Sequence, residues 1–340
     1  MNYTGLGHFN RYKTDRPLTD REREDRLDRE KRSGFEPQDA LTTIRLNSTY
    51  LEMVDRWYAQ KGIAVWLGLL GVIPIAIWIV AMVVGIYHRG EIGGWIFLAF
   101  MLLLTIPLLL GFLYGLRLEA FRWTHYPIRL NRKTRQAHVF RQDGTVLTAP
   151  WDELFLCIGS SKPPLAGEET DVRAHVLDED GETVRETHTL GYAYLRGQAA
   201  TGCHWEFMRR YMEEPDFVAV AHEHVELANP VHDRREGFVF GVMRSFGIAS
   251  KFPLLQIVMS PVLTLNAIGR WIAMATSKIP QWPADVEAAC VVAADDPYRK
   301  DWRDNVRLGF WDLWWPLICF VIGAVAVGWG AIWLVEKLAT

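Results

Sequence analysis

The sequence predicts a membrane protein of the α+β class, with three membrane-spanning helices and a cytoplasmic β-rich domain. Two long uncharged runs, residues 62–87 and 92–116, are separated by a short connection, and a third run covers residues 313–335. Between the second and third runs, strand-like alternation is interrupted by Asp-Gly turns, as in antiparallel hairpins. Lys and Arg are concentrated on one side of the runs, which predicts the direction of each helix.

Each uncharged run is longer than the about 20 helical residues that cross a hydrocarbon core of about 30 Å. The short connection between the first two runs predicts an antiparallel hairpin. Each run contains one proline, Pro74, Pro107 or Pro316, whose missing hydrogen bond can be compensated by packed neighbours in a membrane. Three such runs in 340 residues do not fit inside a water-soluble protein, so the lipid bilayer is the first predicted partner.

A fourth apolar stretch, residues 252–275, is less uniform because it contains Gln256, Asn266 and Arg270. A central Arg costs roughly 2.5 kcal/mol or more on insertion into a bilayer. The apolar residues recur at three- and four-residue spacing, which favours a broken amphipathic helix on the membrane surface or against the hairpin. A complete crossing stays open as an alternative.

Basic residues predict the orientation. Many Lys and Arg flank the outer ends of the hairpin and precede the third run, whereas the hairpin connection has only Arg89 and the third run is followed only by Lys337. Residues 1–61 and 117–311 are therefore expected in the cytoplasm. Six basic residues that follow the hairpin form a predicted membrane-proximal patch, which retains this side in the cytoplasm or, alternatively, contacts anionic headgroups. They are Arg117, Arg122, Arg129, Arg132, Lys133 and Arg135.

Residues 1–45 interleave both signs of charge with few apolar residues, as in TDREREDRLDREKR. This composition predicts a solvated, disordered tail, and a partner-binding helix is the alternative. Thr49 and Glu52 then match a capping-box pattern. A short helix that leads to the membrane is therefore predicted over residues 46–61.

The predicted β-rich domain begins in THYPIRLNRKTRQAHVFRQDGTVLTAPWDEL, residues 124–154. Alternation predicts strands around Ile128, Val139 and Val146, and another strand covers residues 154–158. A further hairpin turns at Asp180-Gly181. The segment CHWEFMRRYMEE is expected to form a closing helix, which ends the domain near residue 215.

This element order, with its Pro-Trp-Asp-Glu step, resembles bacterial pleckstrin-homology-like domains, which often follow a two-helix membrane hairpin. The stretch above and VHDRREGFVFGVMRSFG, residues 231–247, also resemble an uncharacterised proteobacterial inner-membrane family found near type VI secretion genes. The resemblance runs from the hairpin to about residue 250. It implies a bacterial inner membrane, so the C-terminus that the basic residues place outside is expected in the periplasm. The resemblance supplies no activity or catalytic residues.

The sequence contains no signature of a known catalytic site. The Walker A loop, GxGxxG, GxSxG and HExxH are absent, and the four cysteines form no CxxC pair. The nearest metal-like group, His222, His224 and His232, is expected to be solvated rather than to bind an ion. The net charge of −3 argues against nucleic acid as a partner. We therefore expect no enzyme activity, no metal and no cofactor.

The predicted function is protein–protein interaction by an inner-membrane accessory protein, and the link to secretion comes from the family resemblance. An immunity protein against a membrane-active toxin and a secreted membrane-active effector are the alternatives. A protein partner is expected, and a homo-oligomer is compatible with the sequence. The predicted segments are a tail (1–45), a short helix (46–61), a membrane hairpin (62–116), a β-rich domain (117–215), a connector with an amphipathic helix (216–310, helix 252–275) and a third membrane helix (311–336).

Overall fold

The computed structural model describes residues 3–4, 12–90, 92–162, 167–195, 197–247, 250 and 252–339. Part of the predicted tail, residues 1–2 and 5–11, lies outside the described residues. The chain divides into two compact units. Unit 1 comprises Met1–Ala59, Thr124–Arg235 and Ile279–Arg307, and unit 2 comprises Gln60–Trp123, Glu236–Lys278 and Leu308–Thr340.

Five antiparallel strands form the first sheet of unit 1, in the order β4-β5-β6-β7-β8. They are β4 (Thr43–Leu46), β5 (Tyr50–Met53), β6 (Ile128–Asn131), β7 (Gln136–Phe140) and β8 (Val146–Pro150). One face is apolar, because Leu51 pairs with Leu130 and both lie in the main core. Helix α4 (Gln198–Glu213) contributes Trp205 to this core, and its ring stacks on Trp151 at 6.1 Å between centroids.

A second sheet in unit 1 is centred on one long strand, β10 (Glu169–Leu177). It pairs with β9 (Phe155–Ser161), β11 (Thr183–Thr189) and β12 (Tyr194–Leu195), and β11 also pairs with β3 (Arg16–Pro17). The strands β10 and β11 are joined by a turn at the expected Asp180-Gly181 step. The predicted β-rich region and its closing helix are thus confirmed. The other strands and α-helices in the described part of unit 1 are β1 (Tyr3–Thr4), β2 (Tyr12–Lys13), α1 (Asp20–Glu24), α5 (Phe217–His224) and α9 (Ala284–Ala289).

Residues 46–61 contain a strand, and the predicted short helix is wrong. Tyr50–Met53 is β5, an inner strand of the first sheet. Glu52 does not cap a helix, because its carboxylate accepts hydrogen bonds from Arg45 and Arg129 on the two adjacent strands. A four-residue segment fits both local patterns, and the pairing with distant β6 decides between them.

The predicted disordered tail is also wrong for residues 12–45. Leu27 donates a backbone hydrogen bond of 2.8 Å to Leu156 in β9. The Arg29 guanidinium donates to three backbone carbonyls within residues 151–154. The interleaved charges are used in specific bonds to the β-rich unit, so this segment needs little apolar surface of its own to pack.

Unit 2 contains three described helices that are long and apolar enough to cross a membrane. They are α2 (Ile63–Arg89), α3 (Ile92–Glu119) and a C-terminal span, Phe310–Lys337, in which a π-helical turn leads into α10 (Trp315–Ala339). The adjacent pair and the separate C-terminal helix agree with the sequence prediction. Three shorter helices, α6 (Phe238–Phe246), α7 (Pro253–Val258) and α8 (Ser260–Thr276), complete the unit.

The stretch 252–275 forms the broken helix pair α7 and α8. In contrast to a helix in water, it buries polar side chains and exposes apolar ones. Gln256 and Arg270 are buried, whereas Leu254 and Val258 are 79% and 75% exposed. The buried guanidinium of Arg270 is neutralised by Glu236 through hydrogen bonds of 2.6 and 2.7 Å. The sequence-based cost of an isolated Arg therefore does not apply, because its counter-charge lies on the preceding segment of the same unit.

Candidate functional site

A row of polar side chains crosses all five strands of the first sheet. Strand pairing places Arg45 beside Glu52, Glu52 beside Arg129, and Arg129 beside His138. His138 in turn pairs with Thr148 on β8. Alternate residues of a strand share a face, so these residues form a continuous line on the face opposite the main core. We call this line the charged row.

Glu52 lies at the centre of the charged row. Its Oε2 atom accepts hydrogen bonds from Arg45 at 2.8 Å and from Arg129 at 3.0 Å. Its Oε1 atom accepts from the indole nitrogen of Trp282 at 3.2 Å. The buried guanidinium of Arg129 also lies over the rings of Tyr50 and Trp282, 4.4 and 4.7 Å from their centroids. Cation–π contacts of this kind become stronger when the cation is withdrawn from water.

Residues 279–290, which include α9, cover the charged row, and we call them the cover segment. Trp282 packs edge-on against His138, with 6.4 Å between ring centroids. Glu287 accepts a hydrogen bond of 3.2 Å from Arg129 while its own side chain stays half-exposed. The cover segment therefore shields the centre of the row, Glu52, Arg129 and His138, from solvent and also contributes one carboxylate to it.

Burial and neighbouring charges set the protonation of the row. Burial alone would raise the pKa of Glu52, but the charges of Arg45 and Arg129 outweigh it and lower that pKa to about 2. The pKa of His138 is lowered to about 4, mainly by burial and to a smaller extent by the positive charge of Arg129. At neutral pH the row thus holds a carboxylate, two guanidinium groups and a neutral imidazole.

The charged row is suited to clamping the strands and the cover segment together. A carboxylate with a pKa near 2 is a weak base at neutral pH, so Glu52 does not match a general base. Arg129 Nη1 and His138 Nε2 have no hydrogen-bond partner within the described part of the chain. The row therefore keeps donor capacity for one more acceptor beneath the cover segment.

A second buried network lies at the start of β10. Arg56 donates to Glu169 at 2.5 Å and also to Asp171. Asp171 further accepts from Arg173 at 2.8 Å and from the Tyr12 hydroxyl at 3.0 Å. The pKa of Tyr12 is raised, mainly by burial and to a smaller extent by the negative charge of Asp171. The network ties the chain that immediately precedes the membrane hairpin to the second sheet.

The comparisons with known proteins yield one family. Residues 101–294 match a family of unknown function, DUF6708. This match covers more than half of the 340 residues and includes Arg129, His138 and the cover segment. The chain belongs to the DUF6708 family. No curated protein and no solved structure matches it.

This DUF6708 member also contains a thiol–imidazole pair that sequence spacing does not reveal. Cys157 Sγ lies 3.3 Å from His175 Nε2 across the paired strands β9 and β10. Both side chains are buried, and burial raises the pKa of Cys157 to about 12. The thiol therefore stays protonated and does not act as a nucleophile in this arrangement. Cys203 and His204 are adjacent in sequence, and burial lowers the pKa of His204 to about 4, so its imidazole is a weak base at neutral pH.

The predicted basic patch of this family member does not occupy one environment. Arg129 is buried in the charged row, so it does not take the alternative role of contact with lipid headgroups. Arg135 pairs with Asp152 at 2.5 Å, and the guanidinium of Arg132 lies 5.3 Å from the centroid of the Tyr211 ring. All three arginines are engaged within unit 1, Arg129 from the strand β6 and the other two from the turn that joins β6 to β7.

The other three residues of the basic patch have more solvent around them. Arg117 and Lys133 are exposed, and Arg122 is half-buried. Arg122 donates to the backbone carbonyl of Arg117 at 3.0 Å, which closes the end of α3. Their role in membrane topology stays a prediction from the sequence.

The three weak metal candidates are held apart. The His222 ring packs edge-on against Tyr298, at 6.3 Å between centroids. His224 bonds through Nδ1 to a backbone carbonyl one turn earlier, at 2.8 Å. His232 Nε2 lies 3.5 Å from an oxygen of Asp233, and burial lowers the pKa of His232. Among the described residues, no three His, Cys, Asp or Glu side chains gather as they would around a metal ion.

Sequence reasoning missed Glu52 and Trp282 as members of the charged row. A usable signal lies in Ile128-Arg129-Leu130, where a cation sits between two apolar residues of a short strand. Such a pattern indicates a face that is covered but polar, and a buried cation requires a carboxylate partner. Short sequence patterns around Arg129 do not identify Glu52 as that partner, because Glu52 lies in β5, which precedes the membrane hairpin in the sequence.

Proposed function

We propose that this chain is a multi-pass inner-membrane accessory protein, whose unit 1 is an interaction module held in the cytoplasm. One observation supports the membrane part most strongly. Ile77, Leu103 and Val325, near the middles of the three long helices, are 63%, 71% and 67% exposed. Apolar side chains that face outward along helices of this length are suited to lipid rather than to water.

Aromatic residues support the same proposal for the C-terminal span. Exposed Trp311 and Trp314 lie near its beginning, and exposed Trp329 and Trp333 lie near its end. The two pairs are separated by roughly 28 Å of helix, which matches the thickness of a hydrocarbon core. Tryptophan favours the two membrane–water boundaries, so the pairs fit boundary positions. The distribution of Lys and Arg supports a cytoplasmic unit 1 and a periplasmic C-terminus.

The interaction role rests on how unit 1 uses its charges. The row and the network at β10 stabilise a covered β-rich body, and two antiparallel sheets with a closing helix support a pleckstrin-homology-like module. The link to type VI secretion rests on the family resemblance. In this proposal, unit 1 recruits a cytoplasmic protein partner to the membrane.

The role is tested by crosslinking in cells, followed by purification in mild detergent, with secretion measured in parallel. A deletion strain and the same strain carrying the intact chain form the matched pair. We expect a partner crosslinked to unit 1 and altered secretion on deletion, restored by the intact chain. Unchanged secretion and a chain without a partner would contradict the proposal. Killing of the deletion strain by its siblings would instead indicate an immunity protein, and toxicity on sole expression would indicate an effector.

A further inference from the structure

Helices α6 and α8 run antiparallel within unit 2, and we call the described residues 236–247, 250 and 252–277 the helical hairpin. Ser245 on α6 accepts a hydrogen bond of 3.2 Å from Asn266 on α8. Further along the pair, Glu236 just before α6 binds Arg270 on α8. The entry and the exit of the helical hairpin therefore lie at the same end.

The opposite end of the helical hairpin lies against the middle of the C-terminal span. Thr264 donates to the backbone carbonyl of Phe320 at 3.2 Å. A Cβ atom at Gly323 would lie only 2.3 Å from the carbonyl oxygen of Ser260. Gly323 is roughly 20 Å of helix from the start of the span, close to the centre of a bilayer that the span crosses.

The entry end of the helical hairpin lies beside the beginning of α2. A Cβ atom at Gly62, which immediately precedes α2, would lie 2.5 Å from the backbone nitrogen of Arg270. Val65 of α2 and Ala273 of α8 share a small apolar cluster. Helix α8 thus extends from the membrane boundary at which α2 begins to the level of the bilayer centre.

The side chains of α7 and α8 are arranged for an apolar environment. Gln256 turns inward and donates to the backbone carbonyl of Phe246 at 2.9 Å, as polar groups of packed membrane helices do. The outward-facing residues of α7 are apolar, and Leu254 and Val258 are the most exposed of them. Helices α7 and α8 pack on the C-terminal span, whose exposed side chains include Val321 and Val325.

We propose that the helical hairpin is re-entrant. It enters the bilayer from the side on which α2 begins, reaches the hydrocarbon centre and returns to the same side, and Leu254 and Val258 contact lipid acyl chains. Helix α6 has nine residues and a length of about 14 Å, which is less than half of a hydrocarbon core. This inference rests on the proposed membrane function, and it gives the protein a fourth lipid-contacting element.

The test places an environment-sensitive fluorophore on Val258→Cys of the full chain in liposomes that contain acyl-chain nitroxide lipids. Ile77→Cys in the middle of α2 is the lipid control, and Asp143→Cys on the exposed turn of unit 1 is the water control. The labelled unaltered chain reports the background from the native cysteines. We expect quenching at Val258 within about twofold of that at Ile77, and several-fold stronger than at Asp143.

Quenching at Val258 as weak as at Asp143, with strong quenching at Ile77, would overturn the re-entrant hairpin and leave the membrane proposal intact. Weak quenching at both Val258 and Ile77 would contradict both the re-entrant hairpin and the membrane proposal. Leu254→Cys is measured in parallel, so a failure of one labelled variant to fold does not decide the outcome. Both positions are exposed, and a label there displaces no packed neighbour.

Discussion

The carboxylate of Glu52 is held by two guanidinium groups in a place that solvent does not reach. Removing one member of a buried ion pair leaves the other charge without compensation, at a typical cost of about 3–5 kcal/mol. Glu287, which binds the same Arg129, remains half-exposed, and water can replace it. The two carboxylates that bind Arg129 are therefore expected to differ in their contribution to stability, because Glu52 is buried and binds a second guanidinium.

We predict that Glu52→Gln lowers the free energy of unfolding by about 3 kcal/mol, because it removes the only buried carboxylate between Arg45 and Arg129 in the described row. Glu287→Gln is the matched control and is expected to cost less than about 1 kcal/mol. Urea unfolding in detergent, followed by hydrogen exchange in β5 and β6, measures both. Equal losses in the two variants would show that the row is not buried in solution.

The lowered pKa of His138 predicts a loss of stability on acidification. Its folded pKa is about 4, whereas an unfolded histidine has a pKa of about 6.5. Between these values the unfolded state binds more protons, so the free energy of unfolding falls as pH falls, by at most about 3 kcal/mol. Unfolding titrations between pH 7 and pH 5 should show a flatter dependence for His138→Gln. The same dependence in the variant would contradict the assignment.

At the scale of single residues, the sequence predicted charge and spacing but not pairing. Arg129 was expected near lipid because it follows the hairpin, yet it alternates with Ile128 and Leu130 in an inner strand. Its carboxylate partner lies more than seventy residues earlier in the chain. Burial of a charge depends on such long-range pairing, which short sequence patterns do not encode.

At the scale of secondary-structure elements, the close packing of α8 against α10 depends on Gly323. Any side chain there would collide with the backbone of Ser260, whereas a Cβ atom at Gly328 on the same helix would meet nothing within 4 Å. We predict that Gly323→Ala separates α8 from α10 and lowers the thermal unfolding midpoint in detergent, and that Gly328→Ala leaves it unchanged. A similar midpoint for both variants would mean that the helices do not pack closely.

The ion pair between Glu236 and Arg270 joins the residue before α6 to the C-terminal half of α8. Glu236→Gln leaves a buried guanidinium with a weaker partner and should destabilise unit 2 by about 3 kcal/mol. The double variant Glu236→Gln with Arg270→Met removes the stranded charge and should recover much of that loss. Thermal unfolding in detergent compares the two. A double variant less stable than the single variant would contradict this account of the pair.

The elements that sequence predicted best are those whose patterns are local. The three long helices follow from length and composition, and β6 to β8 follow from alternation and an Asp-Gly turn. The strands β4 and β5 were missed because their sheet partner β6 comes after the hairpin. The packed course of residues 12–45 was missed because it is held by hydrogen bonds and ion pairs rather than by an apolar stripe.

At the scale of the whole molecule, α2 and α3 lie in sequence between β5 and β6. These two strands are hydrogen-bonded neighbours in the first sheet. β5 ends at Met53 and β6 begins at Ile128, and they pair along their full length. The closing of this sheet therefore brings together the two ends of a segment that contains α2 and α3. A β-rich body built in this way needs both ends of the hairpin on one side of the membrane.

That requirement is tested most directly by labelling Asp143→Cys, on the exposed turn of unit 1, with a membrane-impermeant maleimide in intact and in permeabilised cells. The unaltered chain reports the background from native cysteines. Three crossings with unit 1 in the cytoplasm predict labelling only after permeabilisation. Labelling of equal extent in intact cells would contradict the central claim that the β-rich unit lies on the inner side of the membrane.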